Sequence, residues 1–342
     1  MSTNTGFYYN EAFGSRYLPK AKWWRENTDS GIKLNFGLQD GDPDKGYDIV
    51  LDSSLPNALC VGIPGSGKSP LINQMMASLI TRYSPTALSL VMVDFKDAEF
   101  CVFADRASHL CRIPHASFIA GTKDGSISIP LLNGLMDEMS KRLALFTAEG
   151  VQSIELYNKR MRKIKAPQKC LPRILVVLDE YQVMFEDASI SDIVFQKLQN
   201  LLAVSASCGC HLFLSSQSWK GSLPADIMKQ FALRVALRCS EDISISVLGS
   251  PVAALLKPKF GYVYTNTEAG ASQASTRVWC TPFIPDEELF DTEKRKEVIP
   301  DGSLCILDAV QRMAAEQSMV DRKAPFIGRL ESVSYTHLTL PT

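Results

Sequence analysis

The sequence predicts an α/β fold, a mostly parallel β-sheet flanked by helices, on three observations. Apolar runs of β type recur at residues 58–61, 88–93, 174–178, 211–214 and 233–237. Between them, residues 131–147 and 193–205 carry apolar side chains at helical spacing. The two kinds of segment alternate along the chain, which is the sequence mark of a parallel sheet covered by helices.

Residues 1–56 are rich in Gly, Asp, Asn and aromatics, show little periodicity and carry the pair Trp23-Trp24. They are expected to be a lead-in segment packing on the main domain, which is expected over 57–300. Within that domain, 262–264 and 276–279 are expected to be strands that extend the sheet at its edge. Residues 301–332 read as a C-terminal extension. The last ten residues, 333–342 (VSYTHLTLPT), resemble the translation of a transposon-type sequencing adapter, so a non-native tail and a cut near Ser332 are expected.

With 36 Lys and Arg against 37 Asp and Glu, the net charge is −1, which excludes a protein that coats nucleic acid by overall basicity. One local run is basic: Lys159, Arg160, Arg162, Lys163, Lys165, Lys169 and Arg173 occur with no acid among them. Such a run is either a solvated helix face and loop or a polyanion contact. Nine cysteines show no metal-ligand pairing, since Cys208-Gly209-Cys210 is too tight for a zinc knuckle, and they read as reduced core residues. There is no signal-type start and no apolar run near the roughly 20 residues of a spanning helix. The expected location is cytoplasmic, with no membrane segment.

The first apolar run is followed at once by Gly62-Ile63-Pro64-Gly65-Ser66-Gly67-Lys68-Ser69. A strand, a glycine-rich loop and a helix in this order place successive backbone N–H groups on phosphate oxygens. Gly62, Gly65 and Gly67 supply backbone freedom, Lys68 is placed to reach the β and γ phosphates, and Ser69 to complete the coordination of Mg2+. Pro70 is tolerated because a proline in the first helical turn forfeits only an unpaired N–H. The expected ligands are ATP and Mg2+.

The run at 174–178 ends in Asp179-Glu180. Asp179 is expected to hold the metal through water and Glu180 to polarise the attacking water. The run at 211–214 leads through Ser215-Ser216 to Gln217, an amide placed to sense a γ phosphate or simply exposed to solvent. Arg234 and Arg238 alternate with apolar residues, so both are expected on one strand face, each either an arginine finger for a neighbouring subunit or a structural ion pair.

Taken in order, these residues resemble the FtsK/SpoIIIE-type DNA translocases. The resemblance runs through GIPGSGKSPLINQMMASLI and LVMVDFKDAEF, then RLALFTAEGVQSIELYN, LPRILVVLDEYQVMF, SASCGCHLFLSSQS and FALRVALRCSEDISISVLG, covering about residues 23–289. Two features depart from it: Gln217 is followed by Ser218-Trp219 where the family usually has Arg-Pro, and no second arginine follows Arg238 within 242–248. The Trp23-Trp24 lead-in is like that of FtsK-type domains embedded in larger multidomain proteins. The resemblance implies a RecA-like P-loop NTPase, a homo-oligomeric ring that is commonly hexameric, and ATP-driven movement of double-stranded DNA through its pore. It also implies that Lys68, Glu180, Gln217 and Arg234 serve catalysis, with Arg234 acting in trans. Related motors drive protein export, and a non-hydrolysing nucleotide-gated scaffold is a third reading, disfavoured by the Asp179-Glu180 pair.

Overall fold

The apolar runs become the inner strands of one sheet. In chain order the strands are β1 (Ile32–Gln39), β2 (Asp42–Leu51), β3 (Ala58–Val61), β4 (Leu88–Asp94), β5 (Ala104–Asp105), β6 (Leu110–Cys111), β7 (Ala116–Gly121), β8 (Arg173–Asp179), β9 (Cys210–Ser216), β10 (Leu233–Ala236), β11 (Tyr262–Asn266), β12 (Arg277–Cys280) and β13 (Phe326–Ile327). The helices are α1 (Lys68–Arg82), α2 (Ser128–Ala148), α3 (Ile154–Lys163), α4 (Ser191–Ser205), α5 (Ala225–Met228), α6 (Glu241–Leu248) and α7 (Ile306–Glu316). This computed structural model describes residues 23–39, 42–96, 100–105, 110–217, 223–257, 261–271, 277–280, 305–317 and 326–327. The first 22 residues, Ser218-Trp219 and the tail 333–342 lie outside the described residues.

The sheet runs β13-β7-β4-β8-β9-β3-β10-β11-β12-β1-β2, parallel from β13 to β10 and antiparallel from there to β2. The α/β class with a mostly parallel sheet is therefore the one the chain adopts. The edge expected at β11 and β12 is not an edge, because the β1–β2 hairpin from the lead-in pairs beyond them. Ile32, Leu34 and Phe36 alternate along β1 and are fully buried, so this strand has one face to cover and takes its place in the sheet. The lead-in is also fastened to α1: Trp24 Nε1 donates to Ile80 O at 2.8 Å.

Strand parity sorts the core into two layers. Leu175 and Val177 of β8, Phe213 of β9, and Ala58 and Cys60 of β3 pack with α1 and α7. Ile174, Val176 and Leu178, with Leu212 and Leu214, pack with α2, α3 and α4 on the other face. Asp179 continues the parity of Leu175 and Val177, and Ser215 that of Phe213, so both project toward the α1 side. Among the described residues no helix is long and apolar enough to cross a membrane.

Two buried histidines tie the opposite ends of the strands together. His115 donates from Nε2 to Tyr83 O at 2.7 Å. His211 accepts from Arg173 Nη1 at 3.0 Å and so donates from Nδ1 to Pro56 O at 2.9 Å. Burial holds both rings neutral, pushing each from 6.5 to about 4, with the Arg173 charge adding to the fall at His211. The unfolded chain therefore binds more protons between these values. Stability is full above pH 6.5 and falls toward pH 4, by up to about 1.4 kcal/mol per pH unit for each ring. Urea unfolding is expected to have a lower midpoint at pH 5 than at pH 7, and an equal or higher midpoint contradicts this.

Candidate functional site

Pairing places the site before any side chain is considered. Asp94 pairs with Asp179, Asp179 with Ser215, and Val61 with Ser216, so the C-terminal ends of β4, β8, β9 and β3 lie side by side. Crevices at such strand ends are where α/β sheets bind ligands.

Beyond Val61 the chain is held on both sides: Gly62 N–H donates to Ser216 O at 3.2 Å and Ile63 N–H to Arg238 O at 3.0 Å. A Cβ on Gly62 would stand 2.5 Å from Ser66 Oγ and 3.0 Å from Leu237 Cβ, so any larger residue has to displace these side chains. Gly67 caps α1 at φ 98°, a left-handed conformation that glycine adopts freely. Pro64 and Gly65 form the exposed tip of the loop, and Ser69 and Pro70 are half-buried in the first turn of α1. The amides of a first helical turn lack intrahelical acceptors and carry partial positive charge, and Pro70 removes none that the helix would use. Ser66 Oγ is buried with no hydrogen-bond partner. A glycine-shaped cradle with a spare hydroxyl at a helix N-terminus fits a polyphosphate.

Lys68 is buried and donates to Asp179 Oδ1, which also accepts from the Ser215 hydroxyl. Its Nζ lies 3.2 Å from Glu180 Oε1. Burial pulls the Lys68 ammonium down, but the charges of Asp179 and Glu180 overcome this and hold it above its ordinary value. Burial raises the Asp179 carboxyl, against the opposing effects of Lys68 and Ser215.

Glu180 has φ 54°, a left-handed backbone unusual outside glycine, which turns the chain off the end of β8. Its Oε1 is 3.0 Å from Lys96 Nζ, and its Oε2 accepts from Gln182 Nε2 at 2.7 Å and from Gln217 N at 3.3 Å. Lys96 also donates to Gln217 Oε1 at 2.9 Å. Burial alone would raise the Glu180 carboxyl, but Gln182, Lys68, Lys96 and the Gln217 amide together bring it below the ordinary carboxylate value.

The structure thus gathers Lys68, Asp179, Glu180 and Gln217 and leaves Arg234 apart. Leu233 and Val235 face the α1 layer, so Arg234 faces the opposite one, where it is buried and donates to Met228 O at 2.5 Å. Burial lowers its pKa to about 10. The strand ends at Ala236, so Arg238 is not on it and the two arginines do not share a strand face. Arg238 lies partly exposed beside the loop.

The basic run lies at the far end of β8 from Asp179. Arg160 pairs with Glu149 at 2.8 Å, Arg162 with Asp29 at 2.7 Å, and buried Arg173 with Glu155 at 2.5 Å. Lys96, Gln182 and Ser215 are the polar partners that the sequence reading did not assign. Lys96 carried one usable signal: it stands two residues beyond the end of the buried strand β4, whose neighbour is the acidic strand β8.

The chain is similar to DNA translocases and to secretion-system proteins. Over 201 residues, 57% of this chain and 20% of the relative, it is 29% identical to a DNA translocase FtsK of Campylobacter jejuni. Over 262 residues, 73% of this chain and 20% of the relative, it is 30% identical to the ESX-4 secretion system protein EccC4 of Mycobacterium tuberculosis. The cytoplasmic domain of the type VII secretion ATPase EccC of Thermomonospora curvata shares the fold, with a TM-score of 0.70 at 22% identity over 90% of this chain and 34% of that one. The chain spans about a fifth of the length of the two curated relatives. The FtsK/SpoIIIE family model matches residues 18–251, more than half of the sequence, and the chain belongs to the FtsK/SpoIIIE family of P-loop ATPases.

Proposed function

We propose that this chain is the motor of an ATP-driven double-stranded DNA translocase, hydrolysing ATP at the site of Lys68, Asp179, Glu180 and Gln217. The observation that supports hydrolysis best is Glu180, a carboxylate held ionised 3.2 Å from the Lys68 ammonium at the mouth of a phosphate loop. Ser69 and Asp179 would hold Mg2+, which when bound neutralises charge on the β and γ phosphates. The N–H groups of the loop from Gly62 to Gly67 position the phosphates, Lys68 stabilises the transferring group, and Glu180 takes a proton from water. Gln217 senses the γ phosphate. With Arg234 buried on the α4 side, we assign the contact to a neighbouring subunit's nucleotide to Arg238 rather than Arg234, in a ring that the resemblance makes hexameric.

DNA is the proposed track because the FtsK relatives are named DNA translocases. We place no DNA contact on the basic run, whose three arginines are already engaged. A second reading, a motor for protein export, is favoured by the EccC4 match over 73% of the chain. ATP turnover with and without duplex DNA separates the two. Stimulation by DNA that fades as salt rises is expected of the translocase. The same rate with and without DNA transfers the proposal to export, and no turnover under either condition leaves a nucleotide-gated scaffold.

A further inference from the structure

A cavity of about 520 Å³ lies at the opposite end of the sheet from the phosphate loop, between α2, α3 and the first residues of β4 and β8. Its origin is visible in the packing. Ser89 shares the strand parity of Val91 and Val93, which pack under α2, but a serine fills less space than they do. Ser117 stands where the β4–β7 register skips a residue, and the two hydroxyls bond each other at 3.0 Å. The floor is therefore polar and the volume above it unfilled, walled by Leu145, Tyr157, Met161, Pro172 and Ile174. The length of β8, at about 3.3 Å per residue, sets it roughly 20 Å from Asp179.

One ion pair on the wall is incomplete. Arg142 has 3% of its side chain exposed, and Glu138, one helical turn before it, accepts from its Nε at 2.9 Å. Nη1 donates to Pro172 O and Cys208 O at 2.8 and 2.9 Å, which fixes the guanidinium plane. Nε and Nη2 form one edge of that plane, an edge that matches both oxygens of a carboxylate. Only the Nε bond is made. Nη2 and Glu138 Oε2 have no partner among the described residues, and neither is sealed from solvent. A free donor and a free acceptor together on a cavity wall select a ligand edge that carries an acceptor beside a donor. Nucleobases present such an edge, as N1 and the 6-amino group in adenine or O6 and N1–H in guanine.

The mouth adds a charge. Lys169 lines it, exposed and with no acidic partner among the described residues. Glu149, which also lines the cavity, is already paired with Arg160 at 2.8 Å. One uncompensated ammonium suits a single phosphate.

We propose that this cavity is a second nucleotide site, which binds a nucleoside monophosphate with its base edge on Arg142 Nη2 and Glu138 Oε2 and its phosphate at Lys169. The site is separate from the phosphate loop and does not depend on hydrolysis there. Its size lies within the range of small-molecule sites, and its apolar walls cover the faces of a planar base.

The test is calorimetric titration of the full chain with AMP, GMP, CMP and UMP in turn. At least one is expected to bind the parent one to one, and comparison of the four identifies the base. Glu138→Gln keeps an acceptor for Arg142 Nε but turns the free acceptor into a donor, so affinity is expected to fall roughly tenfold or more. Lys169→Glu is expected to weaken binding severalfold, and Lys68→Ala to leave it within about twofold. Thermal melting checks that each variant is folded. If Glu138→Gln is not folded, Leu145→Trp, a change at a partly exposed position on the wall, takes its place and is expected to block binding. No binding of any of the four by the parent overturns the proposal. So does affinity unchanged in Glu138→Gln or, where that variant is not folded, in Leu145→Trp. Binding that is lost in Lys68→Ala and kept in Glu138→Gln belongs to the phosphate loop and overturns it as well.

Discussion

Lys68→Ala is expected to abolish ATP turnover, with kcat lower by on the order of a thousandfold or more. The ammonium is the one cation that α1 carries into the site, and loss of a preorganised group aimed at developing charge costs this much in comparable sites. Its removal also leaves Asp179 and Glu180 buried beside each other with less compensation, and breaking a buried pair by removing one partner costs roughly 3–5 kcal/mol. A stability loss alone could mimic a catalytic one. Lys68→Arg separates them, because it keeps the charge near Asp179 while its planar fork does not replace a compact ammonium at the phosphates. The expected result is a folded Lys68→Arg protein, judged by thermal melting, whose turnover is also severely reduced. Parent-like turnover by purified Lys68→Ala removes the phosphate loop from the mechanism.

Glu180→Gln is expected to behave differently. The amide keeps the shape of the carboxylate and leaves the Lys68–Asp179 pair intact, so ATP binding survives. Only the base is lost, and hydrolysis falls by about 10² to 10⁴. The variant should therefore retain ATP on gel filtration long after the parent has converted it to ADP. Rapid conversion by Glu180→Gln assigns the base to another residue.

The site was legible in the sequence where chemistry and chain order coincide. The run from Ile174 to Leu178 is apolar because β8 is buried on both faces, and Asp179-Glu180 ends it at the edge where parallel strands present ligand-binding groups. The phosphate loop was readable for the same reason, since the glycines that the turn and the close approach to Leu237 demand stand in sequence. Gln217 joins the cluster because β9 pairs directly with β8.

What escaped the sequence depends on neighbours that chain order does not reveal. Ile32, Leu34 and Phe36 alternate with Lys33, Asn35 and Gly37 in β1, but the run is short and set in a lead-in rich in Gly, Asp and Asn, and its place beside β12 is set by pairing alone. The short strand β7 is built largely of small residues and passed unread. Arg234 was legible as alternating with Leu233 and Val235, but alternation does not say which face α1 covers, and the covered face turned out to be the other one. Lys96 lies on a segment leaving β4, and its partners come from residues more than eighty positions away.

The central claim is that this site hydrolyses ATP through Lys68 and Glu180. It is tested most directly by phosphate release from ATP and magnesium, measured side by side for the parent, Lys68→Ala and Glu180→Gln at equal protein concentration and matched oligomeric state. The account predicts steady release by the parent and none above background by either variant. Equal release by all three proteins, or none by the parent, contradicts it.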